Sequence, residues 1–305
     1  MQGNRYVELF GKNVPIRTIG CSKNGTEPID MGIRCNLFIQ VDIRCNANCS
    51  FCEFHGTSTK AFDLKKLGRI VREITDKTCV GKINFTGGEP TIDMVKFDEV
   101  IQCVKENMKG RPEITLNTNG IHLLQLTQYE RFLDFIGLSR HHYDNARNSY
   151  IFQDSRVAGS DEITQFQKSV KNKKMVQLRC NLITGEIDCY DEIVKYMEHA
   201  INMGISDCGF VTLMPINPFC NNHQVDFPSL VKLDDNMIEV AEWTRLDEET
   251  KTRKLCQCSN YIYSSKNGEF CRFYRRLFCN CNLNAGTLVF DGENLRLGFG
   301  GEIIL

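Results

Sequence analysis

The chain has 305 residues, 42% of them hydrophobic and 25% charged, with a formal net charge of -1; this is enough for one large domain or two modest ones. Charge so near zero leaves no basic excess for a nucleic-acid backbone or an anionic membrane surface, and no run reaches the ~18 apolar residues of a membrane span. The opening MQGNRYVELFGKN lacks the apolar core and small-residue cleavage site of a secretory signal, so a cytoplasmic protein is expected.

Residues 1–36 are turn-rich and read as an N-terminal extension. Apolar strand patterns then recur over 37–43, 82–86, 113–119, 135–140, 175–183 and 207–214. Amphipathic helix patterns separate them over 63–75, 94–108, 123–133, 161–172 and 191–204. Strand, helix, strand in steady succession implies parallel pairing with right-handed crossovers. The expectation is an α/β fold, a partial (β/α)6 TIM-like barrel over 37–218. After Pro218 the composition shifts to a helix-like stretch at 234–246 and then a cysteine-rich tail with hairpin patterns such as EFCRFY and GTLVFDG. Residues 219–305 therefore read as a small, separate module stapled by metal.

In a reducing compartment the 16 cysteines point to metal binding, catalysis or burial rather than to disulfides. Cys21, Cys35, Cys79, Cys103, Cys180, Cys189, Cys208 and Cys220 are scattered and read mainly as packing residues. The others bunch. Cys45, Cys49 and Cys52 form C-x3-C-x2-C directly after the first strand. Three thiolates on one tight loop can hold three irons of a [4Fe-4S] cluster and leave the fourth open; with His55 the same run could close a tetrahedral zinc site. Gly87, Gly88, Glu89 and Pro90 follow the second strand, where glycines admit a ligand to the backbone and a carboxylate can meet an ammonium group.

The cysteine spacing, with Phe51 before the last cysteine and the Gly-Gly-Glu-Pro loop one strand later, resembles the radical S-adenosylmethionine (SAM) superfamily. The resemblance implies that Cys45, Cys49 and Cys52 bind the cluster. It implies that Gly87, Gly88 and Glu89 meet the methionyl amine and that Phe51 lies against the adenine. A flavodoxin- or ferredoxin-type donor would supply the electron. Over roughly 37–275 the chain is most similar to the cyclic pyranopterin synthase branch, through FTGGEPTI, LNTNG, FVTLMP and the cysteine tail. That likeness marks Asn117, Asn119, Asn181 and Met214 as residues near SAM or the substrate. The chain departs from the branch in LSRHHYDNARNSYIF and in its FGGEIIL end. Ser139, Arg140, His141, His142 and Tyr143 would sit over the barrel mouth, Ser139 toward the cofactor and the others toward a polar or anionic substrate.

Cys256, Cys258, Cys271, Cys279 and Cys281 form the second bunch. With a hairpin turn at Asn267-Gly268 it resembles the Twitch half of SPASM-type modules, which implies a second [4Fe-4S] cluster held by three or four of the five. Zinc is the structural alternative. A thiol outside the ligand set could return a hydrogen atom to a substrate radical, with Cys279, Cys281 or Cys220 as candidates. Arg272, beside Arg275 and Arg276, could bind a substrate carboxylate or phosphate.

The expected function is a radical SAM enzyme with one auxiliary cluster. It would abstract hydrogen from a small molecule or short peptide in an epimerisation, dehydrogenation or crosslinking. Nucleotide cyclisation of the pyranopterin type is the alternative. A non-catalytic zinc-binding or electron-transfer module is the competing class.

Overall fold

A computed structural model of the chain describes residues 6–14, 19–21, 28–30, 34–54, 60–227, 230, 243–245, 260–265, 267–274 and 286–305. Its first elements are two small antiparallel hairpins, β1 (Val7–Leu9) with β2 (Lys12–Val14) and β3 (Ile19–Cys21) with β4 (Pro28–Asp30). Phe10 and Gly11, both at positive φ, make the two-residue turn of the first. Six strands then lie side by side, parallel and in chain order: β5 (Arg34–Asp42), β6 (Cys79–Gly87), β7 (Glu113–Thr118), β8 (Phe135–Ser139), β9 (Val176–Leu182) and β10 (Asp207–Thr212). These are the six expected strands.

Between them run α1 (Leu64–Lys77), α2 (Met94–Asn107), α3 (Asn145–Phe152), α4 (Ser160–Ser169) and α5 (Tyr190–Asn202). Asp63 caps α1 by accepting from Lys66 N at 2.8 Å, and Asp93 caps α2 by accepting from Val95 N and Lys96 N. α1 buries Leu67, Ile70, Val71 and Ile74, and α2 buries Phe97, Val100, Ile101 and Val104, the three-and-four spacing of a helix stripe on a sheet. The stretch expected as a helix at 123–133 is a 3-10 helix, Leu123–Tyr129. Its buried residues, Leu123, Leu126 and Tyr129, recur every third position, which matches the three-residue turn of that helix. α3 is not among the expected helices; it is capped by Asp144, which accepts from Arg147 N.

After β10 come α6 (Pro218–Asn222), β11 (Trp243–Arg245), β12 (Asn260–Ser265), β13 (Phe270–Tyr274), β14 (Thr287–Phe290) and β15 (Leu295–Leu297). The helix-like reading of 234–246 falls mostly outside the described residues, and its described end is strand β11. The late strands join the barrel sheet: β13 pairs parallel with β10, and β14 pairs parallel with β5 at the opposite edge. The full order is β11-β12-β13-β10-β9-β8-β7-β6-β5-β14-β15, an open partial barrel. The described tail is therefore continuous with the barrel sheet, because β13 and β14 satisfy the edges that six strands leave unpaired.

Strand alternation sorts the two faces of the sheet. Leu178, Cys180 and Leu182 of β9 pack in the apolar core under the helices. On the inner face, Asn84 donates to Thr115 Oγ1 at 2.5 Å, Asn117 donates to Asn84 Oδ1 at 3.2 Å, and Gln177 donates to Asp207 Oδ1 at 2.6 Å. The core lies outside the barrel, and the lumen is polar. Among the described residues no helix is long and apolar enough to cross a membrane.

Candidate active site

The loop after β5 carries Cys45, Cys49 and Cys52, and all three line one cavity of about 260 Å³ at the C-terminal ends of the strands. Active sites of such barrels occupy this end. Within the loop Cys52 N donates to Cys49 O at 3.0 Å, and Asn48 N donates to Phe152 O at 2.9 Å. Burial pushes the Cys45 thiol up to about 11 and raises Cys49 and Cys52 as well. Cys49 is buried and Cys45 and Cys52 half-buried, and three thiols that resist ionisation become ligands only if a metal offsets the charge. Their softness and their place on one wall of one cavity fit an iron-sulfur cluster. Among the described residues no three His, Cys, Asp or Glu side chains converge on a single metal ion, and His55 lies outside them.

The Gly-Gly-Glu loop is laced to the cysteine loop. Gly88 N donates to Asp42 O and Glu89 N donates to Arg44 O, each at 2.8 Å. A Cβ on Gly87, whose φ is +141°, would lie 2.1 Å from Asp42 O. The glycines thus let two backbones touch, a requirement as strict as ligand approach. Glu89 is 1% exposed. Its Oε1 accepts from Thr91 N, Thr91 Oγ1 and Thr118 Oγ1 at 3.0, 2.6 and 2.7 Å, and its Oε2 accepts from Asn119 N at 2.7 Å. Burial raises its pKa against those four donors. The carboxylate expected to meet an ammonium group lines the cysteine cavity with Gly87 and Gly88, and its hydrogen bonds also tie the loop to the end of β7.

Asn117, Asn119, Ser139, His141, Asn181 and Phe51 line the same cavity. Gly137 makes room for Asn117, whose Oδ1 would be 2.7 Å from a Cβ there. His141 is buried; its Nδ1 accepts from Asn181 N at 3.0 Å, which fixes the proton on Nε2. Burial pushes its pKa down to about 3. Its ring stacks on Phe152 at 4.7 Å and meets the edge of Phe51 at 4.9 Å. Phe51 also borders a second cavity of about 630 Å³ lined by Ile151, Ile183 and Phe219.

Other expected residues lie elsewhere. Arg140 alternates away from Ser139 and His141 and donates to Ala158 O, Tyr143 O, Asn145 Oδ1 and Ser160 Oγ. His142 Nδ1 accepts from Asp144 N at 2.9 Å, and Tyr143 packs against the main core beside it. None of the three lines the cavity. Met214 is half-buried beyond β10, where Val211 is the lining residue. Arg272 is paired with Asp207 at 2.8 Å, near the start of β10 and so away from the mouth. Cys220 is buried in α6 with its thiol 3.6 Å from Phe51 O. Cys271 is 0% exposed in the main core, level with Cys208 of β10. Cys256, Cys258, Cys279 and Cys281 lie outside the described residues.

The residue that sequence reasoning passed over is Arg179 of β9. It lines the cavity, its guanidinium lies over the rings of Phe135 and Tyr274, and its buried Nε has no hydrogen-bond partner. Burial lowers its pKa. The one signal was a cation in the apolar run MVQLRCNLI, two residues before Asn181. Thr91 and Thr118, which hold Glu89, carried no signal of their own.

A family model, the Radical SAM superfamily, matches residues 41–226. Among curated relatives, a probable GTP 3',8-cyclase of Thermoplasma volcanium is 35% identical over 114 residues, 36% of this chain and 33% of that protein. One of Saccharolobus solfataricus is 25% identical over 186 residues, 59% of this chain and 58% of that protein. The chain thus spans less than two thirds of the relatives it matches. Among solved structures, SuiB of Streptococcus suis bound to S-adenosylmethionine aligns with a TM-score of 0.58 at 14% identity, over 87% of this chain and 60% of that one. Native anSMEcpe with bound AdoMet and Kp18Cys peptide aligns with a TM-score of 0.52 at 15% identity, over 72% of this chain and 62% of that one. These two likenesses concern the fold. With the family match covering the cysteine loop and strands β6 to β10, the chain belongs to the radical SAM superfamily.

Proposed function

We propose that the chain cleaves SAM reductively and uses the 5'-deoxyadenosyl radical to abstract hydrogen from an anionic substrate in the barrel lumen, with cyclisation of a purine nucleotide as the favoured reaction. When bound at Cys45, Cys49 and Cys52, a [4Fe-4S] cluster supplies one electron, from a flavodoxin- or ferredoxin-type donor, to break the carbon-sulfur bond of SAM. The chain's own residues aim and enclose that chemistry. The two laced loops hold the cysteines against the strand ends, Glu89 locks the second loop, and Phe51, His141 and Phe152 form an apolar wall that excludes water.

One observation carries the substrate class: Arg179 brings a desolvated guanidinium, its Nε without a hydrogen-bond partner, to the cavity that the three cysteines line. Such a group is costly unless an anion meets it. A nucleotide phosphate meets it, and relatives named as probable GTP 3',8-cyclases match part of the chain. A carboxylate meets it too, so tailoring of a small molecule or short peptide is the second reading. A second cluster belongs to the proposal. With Cys271 in the core, Cys256, Cys258, Cys279 and Cys281 remain as two C-x-C pairs, four thiols for one cubane.

The test is anaerobic reconstitution with iron and sulfide, reduction, and incubation with SAM with or without GTP. Formation of 5'-deoxyadenosine with a GTP-derived product of altered mass supports nucleotide cyclisation. 5'-Deoxyadenosine with unchanged GTP moves the reading to tailoring. Bound zinc with no SAM cleavage overturns the enzymatic reading in favour of a metal-binding module.

A further inference from the structure

We propose that Asn119 sets the reduction potential of the cluster by donating a side-chain N–H to the thiolate of Cys45. This rests on the reading of Cys45 as a cluster ligand. Asn119 stands at the end of β7 and is 6% exposed. Its backbone N–H donates to Glu89 Oε2 at 2.7 Å, and its Oδ1 accepts from Ile121 N at 3.1 Å. Those two bonds fix the orientation of the amide, because Oδ1 held toward Ile121 turns Nδ2 to the cysteine loop. There Nδ2 donates to Asn46 Oδ1 at 2.8 Å and lies 3.9 Å from Cys45 Sγ, within N–H···S reach. An amide nitrogen carries two hydrogens, one for each acceptor.

The chemistry follows from charge. Adding an electron to a cluster increases the negative charge on its sulfurs, so a donor aimed at a ligand sulfur stabilises the reduced state more than the oxidised one and raises the potential. Cys45 is half-buried and Cys49 buried, so water substitutes poorly for a lost donor. The geometry therefore assigns Asn119 a tuning role exerted through Cys45, in addition to its part in tying β7 to the cysteine loop.

The experiment is an anaerobic redox titration of the reconstituted full chain, followed by electron paramagnetic resonance, for the wild type, Asn119→Ala and Asn119→Ser. The expected result is unchanged iron content with a midpoint displaced to more negative potential. The displacement should be enough to lower the reduced-to-oxidised ratio about tenfold at a fixed potential, or about 59 mV for one electron. Wild-type potential in the iron-loaded variants overturns the proposal. So does loss of iron from both variants, which would make Asn119 a strut alone. A wild type that holds no cluster refutes the reading of Cys45 itself, and is told apart by its iron content.

Discussion

A Cβ on Gly88 would lie 2.5 Å from the carbonyl oxygen of Arg44. That contact joins the loop after β6 to the cysteine loop after β5, and backbone cannot yield as the end of a side chain would. Gly88→Ala should destabilise the fold by about 1–3 kcal/mol, the usual cost of overpacking, and should lower iron retention with it. Thermal denaturation and the iron-to-protein ratio check this. An alanine variant with wild-type melting temperature and iron would show that the loops need no such approach.

Asp42, at the end of β5, accepts from Arg44 Nη2 at 2.7 Å and from Lys96 Nζ at 3.2 Å. Burial by itself would raise its pKa, but hydrogen bonds from Arg44 and the charge of Lys96 hold the carboxyl below its ordinary value. A depressed folded pKa contributes stability that is fully present above the unfolded value, near 4, and is lost as pH falls through the folded one. Asp42→Asn should therefore be less stable than wild type at pH 7, with the gap narrowing below about pH 4. Urea unfolding at a series of pH values measures the gap; a constant gap down to pH 3 would contradict the assignment.

Arg179→Met removes a cation that the folded chain desolvates without a hydrogen-bonded partner for Nε. Its melting temperature should equal or exceed that of wild type. KM for the anionic substrate should rise about 10- to 100-fold, the worth of a charge-assisted hydrogen bond. Steady-state kinetics with the substrate identified by product mass would show it, and an unchanged KM would remove Arg179 from the substrate site.

For the late cysteines, Cys271→Ala should keep the iron of a second cluster, because that thiol lies in the core beside Cys208. Cys258→Ala and Cys279→Ala should lose it. Iron analysis of the three variants decides the matter, and loss from Cys271→Ala alone would reverse the assignment.

The six barrel strands and four of the five intervening helices were legible because each is written in a local period: apolar runs for strands buried under helices, three-and-four stripes for the helices, and Asp caps at 63 and 93. The cysteine loop and the Gly-Gly-Glu loop were legible as well, since both are short and their spacing is itself the signal. Arg140 and Arg179 show where that legibility stopped. Both are arginines on or beside strands, yet Arg140 is absorbed by Ala158, Tyr143, Asn145 and Ser160, while Arg179 reaches the cavity. A one-residue shift in alternation exchanges core face for lumen, and no local pattern announces which face a lone arginine takes.

The sequence by itself determined the alternating α/β order, the cysteine loop and the superfamily resemblance, because these depend on residues near one another in the chain. Only the tertiary structure decided what depends on distant partners. It buried Glu89 among hydrogen bonds from Thr91, Thr118 and Asn119. It sent β13 and β14 to opposite edges of one sheet, and so placed Cys271 in the core. It brought Asn119 from the end of the third barrel strand to the sulfur of Cys45, 74 positions earlier in the chain. Such contacts form only when strands separated by whole helices line up at one end of a barrel, and register and packing across the sheet set that alignment.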